Sequence, residues 1–126
     1  MAAKKSAKEK KRANKKKAAA VRRFSLYVIE LDPAVRDVKR FREANPDARL
    51  DKPCLYVGMT ALTPEARFER HKLGIQAGRR IATRFGVRLR KRYYEKLNPL
   101  TQDEAKVGES ALAVRLRKRG FAVWQN

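Results

Sequence analysis

The chain is poor in residues that make covalent staples and metal cages: it has one cysteine, one histidine and only 13 acidic side chains. A lone Cys54 excludes an intramolecular disulfide and any zinc site built on cysteine pairs. Beside Leu55 it reads as a small buried side chain. No stretch approaches the roughly 18 apolar residues of a membrane span. The opening Met1-Ala2-Ala3-Lys4-Lys5 is not followed by the apolar segment that a secretory signal requires. A cytoplasmic protein that does not cross a membrane is expected. No internal repeat breaks the chain into like units.

What is abundant is positive charge. The 126 residues carry 33 Lys and Arg, for a formal charge of +20. That excess is far beyond what solubility needs, and the partner it best fits is a nucleic acid. Residues 1–22 read as a disordered basic tail. Lys10, Lys11, Arg12, Lys15, Lys16 and Lys17 are its densest part, and with so few apolar side chains it cannot bury enough surface to fold alone. The tail is expected to act as an electrostatic arm.

Residues 23–126 are enough for one domain with one modest core. Phe24-Ser25-Leu26-Tyr27-Val28-Ile29-Glu30-Leu31 is aromatic and β-branched and stops at Asp32-Pro33, the pattern of a strand closed by a turn. Leu55-Tyr56-Val57-Gly58-Met59 predicts a second strand. Between them, residues 34–52 form an insertion with Val35, Val38 and Phe41 at helical spacing before Asn45-Pro46. Thr63-Pro64-Glu65 predicts a helix start, running to about Lys72 or Leu73, with Gly74 past its end. Arg67 and His71 then share a face.

Arg84 to Arg90 alternates basic and apolar side chains and predicts a third strand with one cationic face. On this reading Arg84, Arg88, Arg90 and Arg92 are phosphate contacts, with Tyr93 and Tyr94 as stacking platforms. A solvated strand face would give the same pattern. Thr101-Gln102-Asp103-Glu104 is a capping box opening the longest helix, through Leu112 and Leu116 to Gly120. Phe121 to Trp124 forms a short terminal strand or a packed tail.

Leu26-Tyr27-Val28, Tyr56-Val57-Gly58, the Arg67/His71 helix and Glu109 in Gly108-Glu109-Ser110-Ala111-Leu112 occur in an order that resembles the GIY-YIG nuclease superfamily. The resemblance spans Phe24 to Trp124. It implies an α+β fold, a small three-stranded antiparallel sheet flanked by helices. It also implies a Mg²⁺-dependent (or Mn²⁺-dependent) endonuclease acting on DNA, with RNA as the other possible substrate. Tyr27, Tyr56, Arg67, His71 and Glu109 would be its catalytic residues, and Glu109 its metal ligand. The chemistry is coherent. Arg67 is a planar donor for a phosphate, a single carboxylate suits a largely hydrated Mg²⁺, and a phenol acidified by Arg67 or the metal would take a proton from water.

The chain departs from the superfamily at Ser25, which stands where the first motif usually has Gly. It departs again in the long separation of its two tyrosines, and the late Asn of many members has only Asn126 as a counterpart. Two other readings remain open: a noncatalytic basic RNA-binding or ribosome-associated protein, and a GIY-YIG fold that binds nucleic acid without cleaving it.

Overall fold

The computed structural model describes residues 21–74 and 80–125; residues 1–20, with the tail lysines, lie outside the described residues. The fold is mixed α/β. Strands β1 (Ser25–Leu31) and β2 (Cys54–Thr60) form its centre as an antiparallel pair in which Tyr27 faces Gly58. Leu26 to Ile29 and Cys54 to Gly58 are buried without interruption. That pattern belongs to strands covered on both faces, not to a half-solvated hairpin.

Between these strands the insertion forms a 3-10 turn, Pro33–Asp37, and a short helix α1, Lys39–Glu43. The Asp32 carboxylate accepts from Ala34 N at 2.8 Å and opens the turn. Val35 and Phe41 point inward and are fully buried, and sequestering Phe41 alone is worth ~2–3 kcal/mol. After β2 come helix α2 (Pro64–Lys72) and helix α3 (Arg80–Phe85). The Thr63 hydroxyl accepts from Ala66 N and caps α2 as the sequence predicts. Strand β3 (Gly86–Leu89) follows, then two 3-10 turns, Lys91–Tyr93 and Glu95–Leu97. Helix α4 (Gln102–Lys118) opens on the expected capping box, with Thr101 and Glu104 bonded reciprocally. It ends before Gly120, whose φ of +96° suits the glycine of a helix C-terminus. Among the described residues no helix is long and apolar enough to cross a membrane.

The sheet differs from the expected three antiparallel strands. It has four, in the order β3-β1-β2-β4, and β4 (Ala122–Gln125) lies parallel to β2. The reason is long-range. The Asn45 side chain, at the end of the insertion, accepts from Val123 N at 2.8 Å and donates to Val123 O at 3.0 Å. Arg117 donates to both Asn45 Oδ1 and Val123 O. One amide thereby holds the last strand in register and satisfies its outer edge, where another chain would otherwise pair.

The third strand also starts later than expected. Arg84 and Phe85 close α3, and a Cβ on Gly86 would come within 2.6 Å of Ala82 O, so the chain leaves the helix at that glycine. Arg84 is therefore not on a strand face, and its guanidinium lies over the Phe85 ring instead.

Both outer strands are short. β3 pairs with Ile29 to Leu31, and β4 with Cys54 to Val57. The Tyr27/Gly58 end of the central pair runs on past them. On the β1 side that end is held by a side chain: Asn98 Oδ1 accepts from Leu26 N at 2.7 Å, and Asn98 Nδ2 donates to Leu26 O at 2.9 Å. Phe24 and Leu100 form a bridge beyond it.

Candidate active site

Alternation along a strand puts Tyr56 and Gly58 on one face of β2 and Tyr27 on the same face of β1. The two phenol rings lie 6.1 Å apart between centroids. Gly58 is obligatory beside them, because a Cβ there would sit 2.5 Å from Cζ and Oη of Tyr27. The capped start of α2 fixes the phase of that helix, and His71 on its last turn is fully buried against both tyrosines. Its ring centroid is 5.9 Å from Tyr27 and 5.5 Å from Tyr56. Tyr27 Oη and His71 Nε2 are hydrogen-bonded at 2.9 Å.

Arg67, one turn earlier and half-buried, also hydrogen-bonds the Tyr27 hydroxyl, as does Tyr56. Glu109 from α4 is half-buried and close enough for its charge to act on Tyr27. The structure thus brings Tyr56, Arg67 and His71 to the Tyr27 hydroxyl, with Glu109 near enough for its charge to act on it. Gly108, the neighbour of Glu109, lets α4 approach β1: a Cβ on it would reach Leu26 Cδ1 at 3.1 Å.

The electrostatics of the phenol are set by two opposed effects. Burial pushes the Tyr27 phenol above its ordinary value. The Arg67 charge and the hydrogen bonds from Arg67 and Tyr56 pull it down, Glu109 adds a small push upward, and burial prevails. Arg67 thus acts in the expected, acidifying direction, but burial outweighs it. Tyr27 therefore carries its proton at neutral pH.

Arg67 links the cluster to the surface, since it also lines an open depression. Tyr27 and Tyr56 are 1% and 0% exposed. That depression, of about 400 Å³, is bounded by Phe24, Met59, Thr60, Leu62, Arg67 and Arg70. A larger concavity, about 540 Å³, lies away from this cluster, between residues 44–49 and the end of α4.

The expected nucleic-acid contacts fare unevenly. Arg88 and Arg90 both bond Glu30 Oε1, at 2.6 and 2.8 Å, so part of their charge is compensated. Tyr93 packs edge-on against Phe121, and the guanidinium groups of Arg90, Arg92 and Arg119 lie 5.5–5.7 Å from its ring centre. That ring is occupied by cations and is no open stacking platform. Tyr94 is 3% exposed and cannot be one either. Lys10, Lys11, Arg12, Lys15, Lys16 and Lys17 lie outside the described residues.

Among the described residues no group of three His, Cys, Asp or Glu side chains is arranged to hold a metal. The donor set at the cluster is the single carboxylate of Glu109, which fits an ion that keeps most of its water, as Mg²⁺ does. It does not fit one that needs a full protein cage.

Sequence reading missed Asn98, although it fixes the backbone next to Tyr27. It also missed Arg70, which helical spacing from Arg67 would have placed at the same rim. No protein-family model matches the chain, and no curated protein or solved structure matches it.

Proposed function

We propose that the chain is a GIY-YIG-type endonuclease that hydrolyses phosphodiester bonds in DNA with Mg²⁺ or Mn²⁺. The observation that carries this reading is the Tyr27 hydroxyl, bonded at once to His71 and Arg67 with Tyr56 and Glu109 beside it. A surface-binding protein has no use for a buried tyrosine–histidine pair next to a carboxylate in a chain of such positive charge.

On this reading Arg67 receives the scissile phosphate through two parallel donors and stays with the charge that grows on it. Water entering at the Arg67 side gives a proton to Tyr27 Oη as its oxygen attacks phosphorus. Tyr27 gives its own proton to Nε2 of a neutral His71, so the charge ends on the imidazole and no free phenolate forms. Glu109 would hold the Mg²⁺, which when bound stabilises the leaving oxygen. The basic surface supplies affinity without sequence readout.

The test is incubation of purified full-length protein with plasmid, branched DNA and structured RNA, with and without Mg²⁺ or Mn²⁺. Metal-dependent scission of a DNA substrate is the expected result. Binding with no cleavage of any of them would replace this reading with a noncatalytic RNA-binding or ribosome-associated role, or with a nuclease fold that has lost turnover.

A further inference from the structure

The depression beside Arg67 has two unlike walls. One is apolar, made by Phe24 and Met59, which are half-buried and packed on the core, with Leu62 at the rim. The other is cationic: Arg67 and Arg70 are one helical turn apart on α2, so their Cβ atoms are about 5–6 Å apart. The acids of that helix are engaged with lysines, Glu69 with Lys72 at 3.8 Å and Glu65 with Lys91 at 3.4 Å. Phe24 is fixed in place, since its N–H donates to Leu100 O at 3.0 Å and its carbonyl accepts from Leu100 N at 2.8 Å.

An aromatic side chain and two guanidinium groups lining one depression match the two chemistries of a nucleotide, a flat base and an anionic linkage. We propose that this depression seats the nucleotide next to the scissile phosphate and takes it unpaired, Phe24 lying against the base and Arg70 on the neighbouring phosphate. The inference rests on the nuclease reading and deepens it, because it names the substrate class as DNA with a single-stranded segment at the cut. A base still in a duplex cannot present its face to Phe24, since both its faces are stacked on neighbours and its edge is paired. Arg70 is here a positioning residue, while Arg67 serves both the cluster and the seat.

The experiment compares affinities for a short fluorescent oligothymidylate and for a blunt duplex of equal length, by anisotropy without divalent metal, using the full chain. The tail contributes to both, so the strand-to-duplex ratio is the readout. Arg70→Ala and, separately, Phe24→Leu, which retains apolar packing, should each weaken strand binding by roughly 5-fold or more and duplex binding by much less. An oligouridylate arm distinguishes a DNA strand from an RNA one, and tighter uridylate binding would overturn the DNA assignment.

An unchanged ratio in both folded variants would overturn the seat. That failure is distinguishable from failure of the nuclease reading. An active nuclease with an unchanged ratio loses only the seat. A protein that cleaves nothing loses the nuclease reading, while its ratio still decides whether the depression holds an unpaired nucleotide.

Discussion

Replacing Gly58 by alanine tests how tightly the tyrosine cluster is built. The added methyl would sit 2.5 Å from both Cζ and Oη of Tyr27 and 3.0 Å from Cε1. These atoms belong to a rigid ring that is 1% exposed and bonded to His71 at 2.9 Å, so the ring has little room to swing aside. Nor can the backbone separate cheaply, because Tyr27 and Gly58 are direct partners in the central pair. Overpacking of this kind costs ~1–3 kcal/mol, and displacing the hydroxyl from its partners adds ~1 kcal/mol. Reduced freedom of the unfolded chain returns ~0.4–1 kcal/mol.

A net loss of ~2–3 kcal/mol is expected, which for a domain of this size lowers Tm by roughly 10–20 °C. Urea denaturation followed by Trp124 fluorescence reads it, since that indole sits on β4 in register with Tyr56 of β2 and stacks on Phe41. Gly108→Ala is the control. Its methyl meets the flexible end of Leu26, with Cδ1 at 3.1 Å and Cδ2 at 4.0 Å, and Leu100 Cδ1 at 3.9 Å; alanine in a helix gains up to ~1 kcal/mol, so its stability should stay level or rise. If Gly58→Ala were as stable as the wild type, the packing of Tyr27 on Gly58 described above would be wrong.

Two further outcomes follow from charge and burial. Tyr94 is buried, its hydroxyl has no hydrogen-bond partner among the described residues, and burial pushes its pKa up to about 12. A raised folded-state value means that the unfolded chain loses this proton first. The stability is therefore intact below pH ~10 and falls between pH ~10 and ~12, by at most ~2–3 kcal/mol. Tyr94→Phe should flatten that loss in pH-resolved urea melts and leave the neutral protein as stable or up to ~1 kcal/mol more so; a destabilised variant would reveal a missed partner for the hydroxyl. Deleting residues 1–20 removes nine Lys and Arg. It should leave the domain folded while flattening the salt dependence of DNA binding by up to ~8 in log–log slope, at ~0.9 for each phosphate neutralised; an unchanged slope would show that the tail does not touch the nucleic acid.

The sequence announced those parts of the fold that are decided locally. Thr63 and Thr101 cap helices through bonds to residues three positions on, so both helix starts are visible in the chain. The central strands show as unbroken apolar runs because both of their faces are covered. β4 is not decided locally: Val123 is placed by Asn45 from the insertion and by Arg117 from α4, and nothing in Phe121 to Trp124 states a partner or a direction. The start of β3 was hidden because Phe85, Val87 and Leu89 keep their alternation across a helix-to-strand boundary.

The site divides in the same way. The spacing of Arg67 and His71 is a helical fact, but their meeting with Tyr27, Tyr56 and Glu109 is made by the sheet and by α4. The direction of the Tyr27 shift could not be read from the chain, because it depends on how deeply the ring is buried and not on which charges are near. Asn98 looked like a loop residue because its role is to stand in for a strand partner, which composition does not reveal.

Glu109→Ala, assayed for cleavage and for binding on the same DNA, tests the nuclease reading most directly. The carboxylate is the one acidic group within the cluster, so its loss should abolish Mg²⁺-dependent scission. Removing a negative charge from a polyanion-binding surface should leave affinity equal or slightly higher. Cleavage that persists in Glu109→Ala at the wild-type rate, or a wild-type protein that binds DNA and never cuts it with Mg²⁺ or Mn²⁺, would contradict the assignment.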